Sequence, residues 1–507
     1  MSSTLLKFIA NRWCLPVDNS ILAYFRILLG VVMAVAYHGM LTRYAGQEIT
    51  PLEAFVIQPL IHFKYPGFGW VDPLPGQLMS WLVGGLEVLS LCMAAGFCYR
   101  IVTPLLSLGN AYYFLCERTL YNNHYYLTAL LLFWMSVIPA HRRWSLDVLI
   151  RPRIAASTAP AWTVWMLRFH LAMPYAFGAI MKLQGDWLWG EPCGQVAYRI
   201  AQEEFGKSLM QIIDQKSLTQ ILTWGGLLFD LLVVPGLLIA RPRWIRWVTC
   251  IAVAIFHLSN HFIFNIGIFP WLMLLSTPVF FDPAGPGKLL DKLRPKKPGN
   301  AGGLSAAHPT ADRSLSPVSD RTGKFISSLL ILYIAFHLIF PFRFFLYPGP
   351  VNWTEEAEHF SWQMMKREKR TLIQFFVAPS EGVALEAFPI ARLGIQHAPA
   401  WRMSSNFDMI LQTAHFLRDQ YRAQGYPKPV VKALSLVSMN GRPPQMLFDP
   451  NLNLAEIPRR LGHQSAIRPL EHPLPEKPFL APTSEWPKMF PIRIEGSTIK
   501  VLNKPTS

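Results

Sequence analysis

The sequence predicts an α-helical polytopic membrane bundle of about eight or nine transmembrane helices, followed by a C-terminal extramembrane α+β domain. Three observations predict it. Apolar residues make up 51% of the 507 and charged residues only 15%, where a soluble domain carries about 25%. Long apolar runs recur through the first two thirds of the chain. The basic residues behind the net charge of +16 sit in short segments between those runs, which is how a polytopic protein fixes its orientation. The implied partner is a lipid bilayer and not nucleic acid.

The runs fall at 21–43, 78–97, 101–116, 124–140, 161–183, 219–239, 244–261, 264–281 and 325–346. Several reach the ~20 residues that cross a hydrocarbon core. Those at 101–116, 124–140 and 264–281 are short and read as tilted or re-entrant. The first run follows a mixed stretch and is itself long enough to span, so it does not read as a cleavable signal peptide. Residues 1–283 thus form the main transmembrane domain. Residues 284–323 carry Lys288, Lys292, Arg294, Lys296, Lys297, Arg313 and Arg321 among Pro, Gly and Ser, the composition of a basic flexible linker. A last transmembrane helix occupies 324–346.

The tail, 347–507, has a different pattern. Over 404–424, Phe407, Ile410, Leu411, Ala414 and Leu417 recur at helical spacing. Asn440-Gly441 separates Val430–Met439 from Met446–Phe448, a hairpin signal that Pro443 and Pro444 weaken. The six cysteines form no CxxC pair, which argues against a zinc ribbon or an iron–sulfur site.

Charge sets the orientation. If all nine runs span, one side receives Lys7, Arg12, Arg100, the cluster Arg142, Arg143, Arg151 and Arg153, then Arg241, Arg243, Arg246 and the basic linker. The other side receives mixed or acidic connections and the tail. The positive-inside rule then places the N-terminus and the linker in the cytoplasm and the tail outside.

That topology gathers polar residues at the extracytoplasmic end. Asn122, Asn123 and His124 fall in a short turn there, Lys182 ends the fifth run, and His257, Asn260 and His261 lie near the turn between the seventh and eighth. Lys182 follows Phe177-Gly178-Ala179-Ile180-Met181. Apolar surroundings strip hydration from an ammonium and make a neutral amine accessible, either as base or as nucleophile. The competing reading is a lysine that snorkels to the headgroups. A lone interfacial histidine is more often a hydrogen-bonding spacer than a catalyst. His257 and His261 are four apart but lack the glutamate of a zinc-helix motif, so no metal site is expected. Arg26, Glu87, Arg168 and Asp230 lie inside apolar runs, where charges are normally paired within the bundle. Arg26 or Arg168 with Asp230 is the expected structural pair. The aromatic stripes serve as lipid-facing anchors or line a pocket for a flat lipophilic ring.

At these residues the chain resembles the vitamin K-dependent gamma-carboxylase family, whose membrane part is the HTTM domain. The resemblance is carried by Pro16-Val17-Asp18, Phe25-Arg26, Gly96-Phe97-Cys98-Tyr99-Arg100 and Asn122-Asn123-His124-Tyr125-Tyr126-Leu127. It continues through Trp144-Ser145-Leu146-Asp147, Leu167-Arg168, Lys182-Leu183, Asp186-Trp187, Phe256-His257 and Ile266-Gly267-Ile268-Phe269. It extends into the tail at Asn352-Trp353-Thr354 and Phe360-Ser361-Trp362-Gln363-Met364-Met365. The shared order of these short pieces makes the match.

The resemblance implies oxidation of vitamin K hydroquinone by O2 to its epoxide, coupled to addition of CO2 to glutamates of a protein or peptide, with no metal. It implies that Lys182 deprotonates the hydroquinone and that His124, with Asn122 and Asn123, stands beside the quinone. His257 and Asn260 are the next cofactor-binding candidates. Trp362 and Arg367 fall where the family contacts its glutamate substrate. The chain departs from the family at Met181, where a second lysine is common, and at Arg367, where vertebrate members carry histidine. It is also shorter at the C-terminus, so the natural substrate stays open. The alternatives are a quinol epoxidase or oxidoreductase of the same fold without physiological carboxylation, and a non-enzymatic membrane transporter or assembly factor. The absence of a transporter-like inverted repeat counts against the last.

Overall fold

In a computed structural model, residues 9–44, 46–239, 241–264, 266–293, 320–364 and 366–502 are described. The N-terminal region is helical. Its main helices are α1 (Ser20–Leu41), α2 (Gln77–Ala95), α3 (Tyr99–Cys116), α4 (Asn123–Val137), α5 (Ala161–Lys182), α6 (Gln215–Leu238), α7 (Arg243–Phe264) and α8 (Phe269–Ser276). After α9 (Gly285–Leu293) comes α10 (Asp320–Ile339), which tightens into 3-10 turns through Leu346.

Among the described residues, five helices are long and apolar enough to cross a membrane: α1, α2, α6, α7 and the stretch Arg321–Leu346. The other expected spans, α3, α4, α5 and α8, are shorter or more polar and pack among these five. The segment read as a flexible linker begins instead as helix α9. Gly287 packs close to Ser20 of α1 and to Arg143, and the Gly287 N–H donates to Ser20 Oγ at 3.2 Å. The rest of that segment, 294–319, lies outside the described residues.

One end of the bundle gives several of the sequence motifs a structural role. Strand β1 (Pro16–Asp18) pairs antiparallel with β2 (Thr158–Pro160), which ties the entries of α1 and α5 together. The Arg26 guanidinium is fully buried and donates to the carbonyls of Ala140 (3.0 Å), Arg143 (3.2 Å) and Trp144 (2.5 Å). Gly96 ends α2 at φ +66°, and a Cβ there would meet Ser145 and the Arg26 guanidinium. Asp147 accepts from the N–H groups of Cys98 (2.8 Å) and Tyr99 (3.0 Å), which starts α3.

Arg168 donates to the carbonyls of Val279 (2.8 Å) and Phe281 (2.7 Å). The expected pairing of Arg26 or Arg168 with Asp230 is therefore not formed. Both guanidiniums satisfy carbonyls at the far end of the bundle. Arg168 sits fourteen residues before Lys182 on α5, roughly 21 Å along the axis, whereas Asp230 faces Lys182 itself. Glu87 bonds His38 across α1 and α2 at 3.2 Å.

The tail is an α+β region. Its antiparallel sheet has the order β4 (Glu386–Phe388), β3 (Lys369–Ala378), β5 (Val430–Met439), β6 (Gln445–Met446). β3 and β5 register from Lys369↔Met439 to Ala378↔Val430. Successive residues of a strand point to opposite faces. Phe375, Val377, Val431 and Ala433 accordingly pack on α11 (Phe407–Ala423), while Phe376, Leu434 and Leu436 pack against Trp486 and Ile499. The predicted helix is present with Phe407, Ile410, Leu411, Ala414 and Leu417 all buried. The predicted hairpin also forms. Its turn places Asn440 (φ +52°) and Gly441 (φ +73°) in the left-handed region, and Pro443 and Pro444 lie in the loop before β6.

Candidate active site

Asp186 receives Arg442 through both oxygens at 2.7 and 2.8 Å, and Asn440 at 2.9 Å. Arg118 meets Asp408 at 2.5 Å, and Asn352 donates to Gln184 at 2.8 Å. These contacts clamp the tail onto the end of the bundle where α5 finishes. Lys182 lies at that seam, and Asn122 and Asn123 contact the tail there.

Lys182 is the last residue of α5 and is 5% exposed. Its ammonium donates to Asp230 Oδ2 of α6 at 2.6 Å and to the Gly226 carbonyl at 3.3 Å, and lies 4.8 Å from the centre of the Trp187 ring. The expectation of purely apolar surroundings is corrected here, because a carboxylate shares the site. Sequence reading missed the partnership since helical rotation, not spacing, aims Asp230 at α5. Glycines make room for it. Gly178 lies one turn before Lys182, and a Cβ there would be 2.4 Å from Asp230 Oδ2. A Cβ on Gly226 would touch Lys182 Nζ and the Trp187 ring, both at 3.6 Å. Gly178 in the run before Lys182 was the available signal.

His257 of α7 is 1% exposed, and its Nε2 shares a 2.8 Å hydrogen bond with the Tyr175 hydroxyl of α5. Its Nδ1 is buried without a partner among the described residues. The Phe269 ring touches both imidazoles, with centroids 5.5 Å from His124 and 6.1 Å from His257. His124, Phe269 and His257 therefore form one cluster joined to α5 through Tyr175. Asn260 lies on the same helix, half-buried, and takes no side-chain hydrogen bond among the described residues. His261 faces the Trp271 ring at 5.3 Å, not the partner of His257.

Asn122 and Asn123 bind the tail. Asn122 Oδ1 accepts from Arg402 at 2.9 Å, and Asn123 Nδ2 donates to the Gln363 carbonyl at 3.2 Å. Trp362 is fully buried against Tyr126, with ring centres 5.1 Å apart, and its indole N–H has no partner among the described residues.

Arg367 is occupied. It bonds Glu355 at 2.9 Å and Glu358 at 2.7 Å. Glu355 also receives Lys369 at 2.9 Å. Burial pushes the Glu355 carboxyl up, but Lys369 and Arg367 outweigh it and hold it below the usual range. Arg367, a substrate-contact candidate by resemblance, is thus paired with two carboxylates of its own loop. Their loop is strained. Glu355, Ala357, Phe360 and Trp362 all have positive φ, a conformation that costs about 1 kcal/mol or more per non-glycine residue. The ion-paired cluster holds the loop so that Trp362, Gln363 and Met364 reach α5. The Met364 methyl lies 3.7 Å from where a Gly178 Cβ would be, and Gln363 Nε2 is 3.4 Å from Met181 Sδ.

Comparison with known proteins agrees with this two-part build. Residues 14–284, more than half of the chain, match the HTTM domain. Residues 322–473 match the vitamin K-dependent gamma-carboxylase lumenal domain. No solved structure matches the chain. A helical membrane region and a tail of these two kinds, meeting where Lys182 is buried, place the chain in the vitamin K-dependent gamma-carboxylase family.

Proposed function

We propose that this protein is a peptidyl-glutamate gamma-carboxylase that uses vitamin K hydroquinone and couples carboxylation to epoxidation. The observation that carries the reading is the Lys182 amine, buried at the bundle–tail seam and hydrogen-bonded to Asp230 at 2.6 Å. Family membership supplies the substrate class. The residues present fit a reduced quinone: among the described residues His257 Nδ1 and Trp362 Nε1 are buried polar atoms without partners, and the flat Phe269 ring packs against both imidazoles.

When bound, reduced vitamin K oxidised by O2 supplies a base strong enough to remove a glutamate γ-proton, which no side chain can do at neutral pH. The chain's own residues do the rest. A proton moved along the Lys182–Asp230 hydrogen bond leaves a neutral amine, the form that accepts a proton from a quinol hydroxyl. Asp230 is the holder of that proton. His124 and His257 orient the ring and stabilise negative charge on its oxygen. Asn122 and Asn123 fix His124 by anchoring its turn to the tail. Trp362 and Met364 close the site against water, which would otherwise quench strongly basic species.

The bundle crosses the membrane nine times in this reading, with α3, α4, α5 and α8 completing it alongside the five longer helices. The basic connections put the N-terminus in the cytoplasm and the site and tail on the extracytoplasmic side. The description of the matched tail as a lumenal domain supports that side.

Purified protein given reduced vitamin K, O2, labelled bicarbonate and a glutamate-containing peptide is expected to yield epoxide and fixed label. Lys182→Ala is expected to lose both. Neither product from the wild type overturns the proposal. Epoxide formation indifferent to peptide and CO2 selects the uncoupled quinol oxidase instead.

A further inference from the structure

Lys366 is a second buried amine at the seam, 5% exposed, and it has no role in the chemistry above. It comes from the tail, four residues after Trp362. Its ammonium donates to Gln363 Oε1, lies 3.9 Å from Met181 Sδ and stands 5.7 Å from the centre of the Phe344 ring. Among the described residues no carboxylate is within ion-pair distance of it. The nearby acids are engaged elsewhere, Glu355 and Glu358 by Arg367 and Glu355 also by Lys369.

An ammonium carries three donors. One goes to Gln363, and the sulfur of Met181 is a weak acceptor. At least one N–H is left without an oxygen partner in a place shielded from water. Burial, helped by Arg367 and opposed by Glu358, pulls this amine down to about 8. A buried cation without a counter-charge is costly to keep and gains strongly from an arriving anion. Met181, whose sulfur it touches, is the α5 residue before Lys182, the proposed base.

We propose that Lys366 is the receptor for the substrate's glutamyl carboxylate, holding it on the Met181 side of the seam. For its ligand this rests on the carboxylase reading. The carboxylate-binding role itself is tested without turnover.

The test is equilibrium binding to the full-length detergent-solubilised protein, without quinol or CO2. The probe is a fluorescent leucine-rich pentapeptide containing one glutamate, compared with its glutamine isostere. The wild type is expected to bind the glutamate form at least tenfold tighter. Lys366→Met should abolish that preference and Lys366→Arg should restore most of it. If the Met variant does not fold, Lys366→Gln, which keeps a polar donor but removes the charge, reads out the same loss. An unchanged preference in Lys366→Met or Lys366→Gln overturns the proposal, as does no preference in the wild type. Bicarbonate that displaces the glutamate peptide at concentrations leaving the glutamine peptide bound overturns the assignment to a peptide side chain. A lysine-dependent preference in a protein that makes neither epoxide nor fixed label sinks the carboxylase reading and leaves the carboxylate site standing.

Discussion

The absence of a side chain at residue 178 sets how closely Asp230 approaches Lys182. A Cβ there would lie 2.4 Å from Asp230 Oδ2 and 3.2 Å from its carboxyl carbon. In Gly178→Ala the carboxylate must retreat by about 1 Å to reach ordinary van der Waals separation. The 2.6 Å contact with Lys182 then stretches to roughly 3.5 Å, outside hydrogen-bond range. A hydrogen bond to a charged group is worth ~1.5–3 kcal/mol. Alanine is more favourable than glycine in a helix interior by about 1 kcal/mol, so the net effect on stability is only ~0.5–2 kcal/mol. Catalysis is less forgiving, because a misplacement near 1 Å in a positioned group can cost about 100-fold. The expected outcome is a small drop in thermal unfolding temperature together with a 10- to 100-fold fall in the initial rate of epoxide formation. Both are measurable on the same detergent-purified sample. Wild-type epoxidation by Gly178→Ala would refute the reasoning, since it would show that the Lys182–Asp230 distance does not matter to the reaction.

Two other outcomes follow from the charges. Breaking the buried pair from one side, with Lys182→Met or Asp230→Leu alone, is expected to destabilise the protein by about 3–5 kcal/mol, and the double variant should recover most of that loss. Unfolding in mixed micelles measures the cycle, and strictly additive losses would show that the two groups are not coupled. Glu191, in the loop between Gly185–Leu188 and Cys193–Gln202, has its carboxyl raised from 4.5 to about 7 by burial, with Glu368 and Asp186 adding to the shift and Gln195 opposing it. A raised folded value means that the native state holds this proton more tightly than the unfolded chain does. Its contribution is intact below 4.5, falls as pH rises to about 7 and is lost above it. Glu191→Gln should therefore lose less stability than the wild type between those limits. Parallel unfolding-temperature profiles for the two proteins would contradict this.

Much of the frame was legible in the chain. Apolar runs are a local property, and they mark the helices of the bundle. The spacing from Phe407 to Leu417 marks α11, and Asn440-Gly441 marks a turn that needs left-handed backbone. Lys182, His124 and His257 stood out as candidates because they fall at the ends of apolar runs. The basic segment from 284 is helical over Gly285–Leu293, which packs on α1. Its composition resembles a linker, but the contact that orders it comes from residues far away in the chain.

What sequence determined by itself is whatever depends on neighbours along the chain: helix and strand positions, and which polar residues fall at the ends of the apolar runs. The partners of the charges were decided only in three dimensions. Asp230 faces Lys182 and not an arginine because of the rotation of α6 against α5 and the missing side chain at Gly178. Lys366 reaches Met181 because four residues in left-handed backbone bend the tail loop back onto the bundle. A salt bridge needs angular alignment to within a hydrogen bond's length, and that alignment arises from packing between helices that the linear order does not encode.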